Sequence, residues 1–132
     1  MSETPTQEAT ILDAAAATGA GTGLNVKQYD YVTIMLSTVA LSSLTVKCVG
    51  SAQQDEPDWG TAAAADNHYD FVDALDLEDG SAIDGDTGLA IADAAEVRNL
   101  RVDVRGLSWL NLNVTAFTDG SVSAKAVAFD ND

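Results

Sequence analysis

The end of the chain alternates apolar and polar residues with a period of two, and this alternation constrains the fold more than any other feature. Over residues 97–105 the apolar phase consists of Leu100, Val102 and Val104. The opposite phase consists of Arg101, Asp103 and Arg105. Because successive side chains of a strand point to opposite faces, this spacing predicts a strand buried on one face only.

The same alternation continues to residue 128. The next two inward sets are Leu110, Leu112, Val114 and Ala116, then Val122, Ala124, Ala126 and Ala128. Asp119-Gly120 stands between them, and Asp-Gly is a strong signal for a two-residue hairpin turn. We therefore predict three adjacent antiparallel strands in this part of the chain.

Short segments rich in β-branched and aromatic residues precede this region, separated by turn residues. We predict strands over residues 29–37, 43–51, 68–75 and 88–92, and no segment has a convincing amphipathic helical pattern. The prediction is an all-β fold: an antiparallel β-sandwich, jelly-roll-like, over residues 10–132. Residues 1–9 are polar and contain Pro5, so we expect a flexible N-terminal arm.

The chain is strongly acidic. Its 132 residues include 21 Asp plus Glu against 6 Lys plus Arg, for a formal net charge of −15, and Asp outnumbers Glu by 16 to 5. Such a surface repels nucleic acid, whose binding requires neutralisation of phosphates. Self-repulsion is screened at high ionic strength, which suits a salt-loving host; an ordinary acidic extracellular or virion protein is the alternative. No apolar run approaches the roughly 20 residues of a membrane helix, so we expect no membrane partner.

No catalytic constellation is recognisable, so we predict no enzyme, no catalytic residue and no cofactor. Cys48 and His68 are the only cysteine and histidine, and Cys48 lies on the apolar phase of its strand. A buried thiol is the usual outcome there. The glycines of residues 19–23 match neither a dinucleotide fingerprint nor a P-loop, so we interpret them as a flexible turn.

The acidic loop over residues 77–87 resembles a calcium site only superficially. An EF-hand starting at Asp84 would place Gly88 and Ala95 at positions that need oxygen ligands. We therefore predict a solvated loop and no metal, and leave open an irregular site formed by weak candidates: Asp76, Glu78, Asp84 and Asp86.

Six residues are candidates for an interface: Lys47, Trp59, Arg101, Arg105, Trp109 and Lys125. The four cations fall on the polar phases of predicted strands, whereas most carboxylates fall in loops. One interpretation is cross-strand pairing with carboxylates such as Asp103. The other is a less acidic sheet face that docks on an acidic partner. The two tryptophans are either interface anchors or caps of the core.

Three stretches together resemble a known class of protein. They are VKCVGSAQQDEPDW (residues 46–59), DLEDGSAIDGDTGLAI (76–91) and LRVDVRGLSWLNLNVTAFTDGSVSAKAV (100–127). A strand ending in Gly-Ser leads into an acidic loop closed by an aromatic residue, and a hydrophobic strand pair ends the sheet. This layout is similar to that of small β-sandwich capsid decoration (cement) proteins of tailed viruses. The high aspartate content departs from a typical member and would fit a virus of a halophilic archaeal host or of another salt-loving host.

The resemblance implies a non-enzymatic role in the virion. Proteins of this class are assembled in the host cytoplasm and bind the outside of the major capsid protein shell, often as homotrimers, where they stabilise the head. Two alternatives stay open from the sequence. One is a tail, baseplate or fibre component with the same sandwich. The other is a carbohydrate or cell-surface binding module, which would need exposed coplanar aromatic rings; the candidates are Tyr29, Tyr31, Trp59 and Trp109.

Overall fold

A computed structural model describes residues 4–60, 67–92 and 94–130. All regular secondary structure in these ranges is β-strand, and none of the described residues belongs to a helix long and apolar enough to cross a membrane. The strands are β1 (Thr4–Ala15), β2 (Gly19–Ala20), β3 (Leu24–Asn25), β4 (Tyr31–Val39), β5 (Ser43–Ser51), β6 (Asp70–Val72), β7 (Ala74–Asp76), β8 (Ala82–Ile83), β9 (Leu89–Ile91), β10 (Val97–Asp103), β11 (Trp109–Thr118) and β12 (Ser121–Asp130).

The strands form two antiparallel sheets that pack face to face. Sheet A has the order β1-β12-β4-β10-β7-β8. Sheet B has the order β2-β11-β5-β6, with β3 also paired to β11 and β9 to β5. The predicted all-β, antiparallel β-sandwich is thereby confirmed.

The core lies between the sheets and is built from the alternating apolar phases. Sheet A contributes an aliphatic set from its three central strands: Val32, Ile34, Leu36, Leu100, Val102, Val122, Ala124, Ala126 and Ala128. Sheet B contributes Leu44, Val46, Cys48, Leu89, Ile91, Leu110, Leu112 and Val114. Removing such side chains from water is the main stabilising term for a sandwich of this kind.

The expectation of three adjacent strands near the C-terminus is wrong. β10 and β12 lie in sheet A with β4 between them, whereas β11 lies in sheet B. Asp119-Gly120 therefore links strands of different sheets and makes no hairpin. Both residues have positive φ, 54° and 83°. Alternation identifies the buried face of β10 and β12 whichever sheet the strand joins, but in β11 a register shift between Val114 and Ala116 leaves Ala116, predicted to face inward, exposed.

Gly120 is required at this crossing. A Cβ atom there would lie 2.5 Å from the carbonyl oxygens of Val39 and Ala40, in the neighbouring link between β4 and β5. The two links contact each other: the backbone N–H of Ser42 donates a hydrogen bond to the carbonyl oxygen of Thr118 at 3.2 Å. Only glycine combines positive φ with this close approach at little cost.

Two other expectations need correction. The strand predicted over residues 68–75 is divided at Asp73: β6 pairs with β5 in sheet B, and β7 pairs with β10 in sheet A. The arm expected over residues 1–9 is paired from Thr4 onwards, since β1 pairs with β12, for example Ala9 with Ala126. Ladder hydrogen bonds need no apolar side chain, so a polar segment can cover the edge of β12. Residues 1–3 lie outside the described residues.

Candidate functional site

The carboxylates proposed as weak metal candidates do not form one site. Asp76 ends β7, is 2% exposed, and forms a salt bridge with Arg98. Asp84 accepts hydrogen bonds from Asp86 N at 3.1 Å and from the Thr87 hydroxyl at 3.4 Å, so it shapes its own turn. Glu78 is exposed. Among the described residues, no group of three or more His, Cys, Asp or Glu side chains could hold a metal ion.

The Asp76–Arg98 pair is the feature of this region that the sequence analysis missed. Arg98 is opposite Leu36 in the ladder between β10 and β4, on the same phase as buried Leu100. The hydrogen bond to Asp76 raises the pKa of Arg98, against the opposing effect of burial. The Nε atom of Arg98 is buried and has no hydrogen-bond partner among the described residues. Counting back two positions from Leu100 would have identified Arg98 as inward-facing.

Cys48 cannot act as a nucleophile near neutral pH. Its thiol belongs to the core, and burial raises its pKa to about 12. The reactive form of cysteine is the thiolate, which is negligible so far below the pKa. His68 is exposed, and its carbonyl oxygen accepts a hydrogen bond from the Ser51 hydroxyl. The Cys48 thiol thus lies in the core, whereas His68 lines a surface depression to which Cys48 does not contribute.

The four candidate cations do not share one surface. Arg101 and Lys125 lie on the outward phase of sheet A, where Arg101 pairs with Thr33 and Lys125 with Met35. Lys47 lies in sheet B, with its ammonium 4.7 Å from the centroid of the Phe71 ring. The Arg101 guanidinium stands 4.2 Å from the centroid of the Tyr31 ring. Such stacking is favourable because the ring face carries negative charge density.

Arg105 is engaged by a carboxylate of its own segment. Its Nε and Nη2 atoms donate to the two Asp103 oxygens at 3.1 and 2.7 Å. These side-chain bonds, followed by the bond from the Arg105 backbone N–H, lower the pKa of Asp103 to about 2. Asp103 therefore pairs with a cation two residues along its own segment, and not with a residue of a neighbouring strand, as one of the two interpretations had it.

The two tryptophans hold the loop that follows β5. Trp59 donates its indole N–H to Glu56 Oε2 at 2.9 Å, and Trp109 donates to the Gln54 carbonyl at 3.1 Å. Both rings are half-buried, and neither belongs to the core between the sheets. Trp59 contacts Tyr69 at 5.4 Å with the rings tilted by 56°. This aromatic pair is therefore not the coplanar platform on which a sugar ring would stack.

The outward positions of β12, β4 and β10 form a continuous surface, which we call the outer face of sheet A. These positions are Ser121, Ser123, Lys125, Val127 and Phe129 in β12, Tyr31, Thr33, Met35, Ser37 and Val39 in β4, and Val97, Asn99, Arg101 and Asp103 in β10. Asp103 is the only carboxylate among them, and it is paired with Arg105.

Several apolar side chains of this face are open to solvent. Val39 and Val97 are each 65% exposed, and Met35 is 39% exposed. A groove of about 170 Å³ runs between β12, β4 and β10, and Met35, Ser37, Val97, Ser123 and Lys125 contribute to its lining. A second depression, of about 310 Å³, lies where Arg101 meets Leu75 of β7, and Asp73 and Asp103 also line it. The face is therefore grooved and of mixed polarity: six of its fourteen outward positions are apolar or aromatic, and two carry cations against one carboxylate.

Comparison with solved structures shows a shared fold. The SPBc2 prophage-derived protein YomS is similar over 98% of this chain and 96% of its own, with a TM-score of 0.71 and 15% identity. The PBSX exported protein XepA is similar over 98% of this chain, with a TM-score of 0.70 and 12% identity, but the match spans only 39% of XepA.

More distant similarity carries no further argument. The K3 cleaved adhesin domain of Lys-gingipain from Porphyromonas gingivalis has a TM-score of 0.45 and 10% identity, over 95% of this chain and 72% of that domain. No protein-family model matches the sequence, and no curated protein matches it. At these identities the similarity to YomS and XepA establishes the sandwich architecture of this chain.

Proposed function

We propose that this chain is a non-enzymatic virion structural protein, and specifically a capsid decoration protein that binds the outside of the major capsid protein shell and stabilises the head. The observation that carries the proposal is the full-length fold similarity to a prophage-derived protein, YomS, which covers nearly all of both chains. The layout of residues 46–127 supports the same class. We propose further that the bound form is a homotrimer, as that class implies.

The chemistry of the chain supports a binding role. The thiol of Cys48 is held neutral by burial. The net charge of −15 disfavours contact with packaged DNA, which agrees with a position on the exterior of the shell. The outer face of sheet A offers exposed apolar side chains for contact with another protein.

Co-sedimentation with separated virion parts tests the proposal. The purified chain is mixed with empty heads and, separately, with tails from disrupted particles, in the salt concentration of the host medium. A decoration protein sediments with heads at a fixed number of copies per shell and raises the temperature at which empty heads break open. Sedimentation with tails alone would refute the decoration role and support a tail, baseplate or fibre component.

The carbohydrate alternative has its own test. Two aromatic pairs occur among the described residues: Tyr31–Phe129, whose rings stack on each other at 5.0 Å, and Trp59–Tyr69 in the loop region. A glycan array is probed with the wild-type chain and with Trp59→Ala, which disrupts the second pair. Binding of a glycan by the wild type and its loss in the variant would contradict a purely structural role. We expect no glycan to be retained by either protein, since the two rings are tilted by 56°.

A further inference from the structure

We propose that the outer face of sheet A is a docking surface for an acidic surface of another virion protein, centred on Met35 with Arg101 and Lys125 on either side. This inference rests on the proposed function, since it supposes a partner within the particle. The chain would bind its partner through this face and recognise an acidic surface there.

The apolar part of the face is suited to a protein partner. Met35 and Val39 are exposed on either side of Ser37 in β4, and Val97 is exposed opposite Ser37 in β10. Met35 and Val97 line the same groove. Apolar side chains open to solvent at the centre of a sheet gain free energy when a partner removes them from water. A groove between strands also gives a protruding partner side chain a place to insert.

The charges of the face indicate an acidic partner. Lys125 is adjacent to Met35, and Arg101 lies one outward position further along β10. With neighbouring strands about 4.8 Å apart and a rise of about 3.4 Å per residue, the Cα atoms of Lys125 and Arg101 are about 12 Å apart. Neither cation forms an ion pair with another described residue, whereas Arg98 and Arg105 both do, although Arg101 lies near enough to Asp103 to help lower the pKa of that carboxyl. Two cations flanking an apolar centre complement carboxylates that surround an apolar protrusion.

The same charges disfavour a second copy of the chain as the occupant. A symmetric contact through this face would bring Arg101 and Lys125 of one copy toward the same cations of the other. It would also bring together two molecules that each carry a net charge of −15. Like charges placed together at an interface are unfavourable. A different protein with carboxylates at this contact avoids the contact between like cations.

Binding measurements with two matched pairs of variants test the inference. In the first pair, Arg101→Glu/Lys125→Glu reverses the cations of the face, and Lys27→Glu/Lys47→Glu makes the same change in net charge elsewhere. Lys27 and Lys47, like Arg101, stand over aromatic rings, so the control also removes cation–π contacts. In the second pair, Met35→Ser/Val97→Ser removes exposed apolar groups of the face, and Phe71→Ser removes one from sheet B, where Phe71 is 37% exposed.

Binding to heads and to tails is measured for each protein by sedimentation, at the lowest salt at which the wild type is fully folded. Circular dichroism and the thermal midpoint confirm that each variant is folded, which we expect because the substituted side chains are exposed, apart from that of Lys47, which is half-buried. Both face variants should bind at least about tenfold more weakly than the wild type, and both controls should stay within about twofold. Light scattering of the free proteins reports self-association.

The outcomes separate this inference from the proposed function. If the wild type binds heads and the face variants bind equally well, the docking inference is wrong while the decoration role stands. If the wild type binds tails and only the face variants lose binding, the decoration role is wrong and the docking face stands. Binding to neither fraction overturns both. Self-association that the face variants abolish would make a second copy the occupant and overturn the choice of an acidic partner.

Discussion

Replacing Asp76 by alanine should destabilise the sandwich by about 3 to 4 kcal/mol, because it leaves the Arg98 guanidinium in the interior without its counter-ion. The side chains of the pair are 3% exposed for Asp76 and 17% for Arg98. Removing one partner of a buried pair costs about 3–5 kcal/mol. The low end applies here, since Arg98 keeps some solvent contact and feels the charges of Glu78 and Glu96. Asp76 Oδ1 also accepts from Glu78 N at 2.9 Å, and losing that bond adds about 1 kcal/mol.

The assay is urea unfolding at fixed high salt, because urea leaves the ionic strength unchanged. Asp76→Asn should cost about 1 kcal/mol less than Asp76→Ala, since the amide oxygen can still accept from Glu78 N–H. Asp76→Leu/Arg98→Met removes both charges and should lie within about 1 kcal/mol of the wild type, as buried pairs often contribute little net stability. Asp103→Ala is the control for an exposed pair and should lower the free energy of unfolding by less than about 1 kcal/mol.

Two results would refute this reasoning. An Asp76→Ala variant within about 1 kcal/mol of the wild type would show that Arg98 reaches water or another acceptor at little cost. A double variant as unstable as Asp76→Ala alone would show that packing of these side chains, rather than the uncompensated charge, determines the loss. The difference between the single variants and the double variant measures the coupling directly.

Four further predictions follow from the same structure. Arg105→Gln should raise the pKa of Asp103 from about 2 toward its ordinary value, as measured by carboxyl NMR titration. A depressed pKa stabilises the fold above pH 4, and this contribution is lost as the pH falls toward 2, so the free energy of unfolding of the variant should fall less steeply in acid. An unchanged pKa would exclude Arg105 as the cause. Gly120→Ala should cost about 2–4 kcal/mol in urea unfolding, from positive φ and contact with the Ala40 carbonyl, and a cost under about 1 kcal/mol would contradict the close approach. Deleting residues 1–9 should lower the thermal midpoint and promote aggregation, because it uncovers part of β12, whereas an unchanged midpoint would mean that β1 adds nothing there. Thermal stability should rise steadily from about 10 mM to molar salt, because a net charge of −15 repels itself; full stability at low salt would remove the argument for a salt-loving host.

The sequence predicts the buried phase of the strands well, because burial on one face leaves a period of two. Strand β5 occupies residues 43–51 as predicted, and the inward sets of β10 and β12 are all buried. The assignment of strands to sheets could not be obtained in this way. Asp119-Gly120 has the same turn residues whether the next strand returns beside β11 or crosses to the opposite sheet. Which of the two occurs depends on contacts with Val39 and Ala40, far away in the sequence.

The candidate interface was predictable only in part. The alternation of β10 and β12 places Arg101 and Lys125 on outward positions, as the structure confirms. That they belong to one face depends on β4, which lies between their strands and contributes Met35. The engagement of Arg105 by Asp103 and of Trp109 by the Gln54 carbonyl depends on side-chain geometry that spacing does not encode.

The distribution of the basic residues indicates how the docking proposed for the outer face of sheet A would work at high salt. Arg98 neutralises Asp76 in the interior and Arg105 neutralises Asp103, whereas Arg101 and Lys125 remain on the outer face of sheet A. At molar salt the screening length is about 3 Å, so charges steer association weakly and act mainly at contact distance. The apolar groove around Met35 then supplies most of the docking free energy, since burial of apolar surface is not screened by salt. The two cations determine the orientation of the partner, because each of its carboxylates must meet a cation directly.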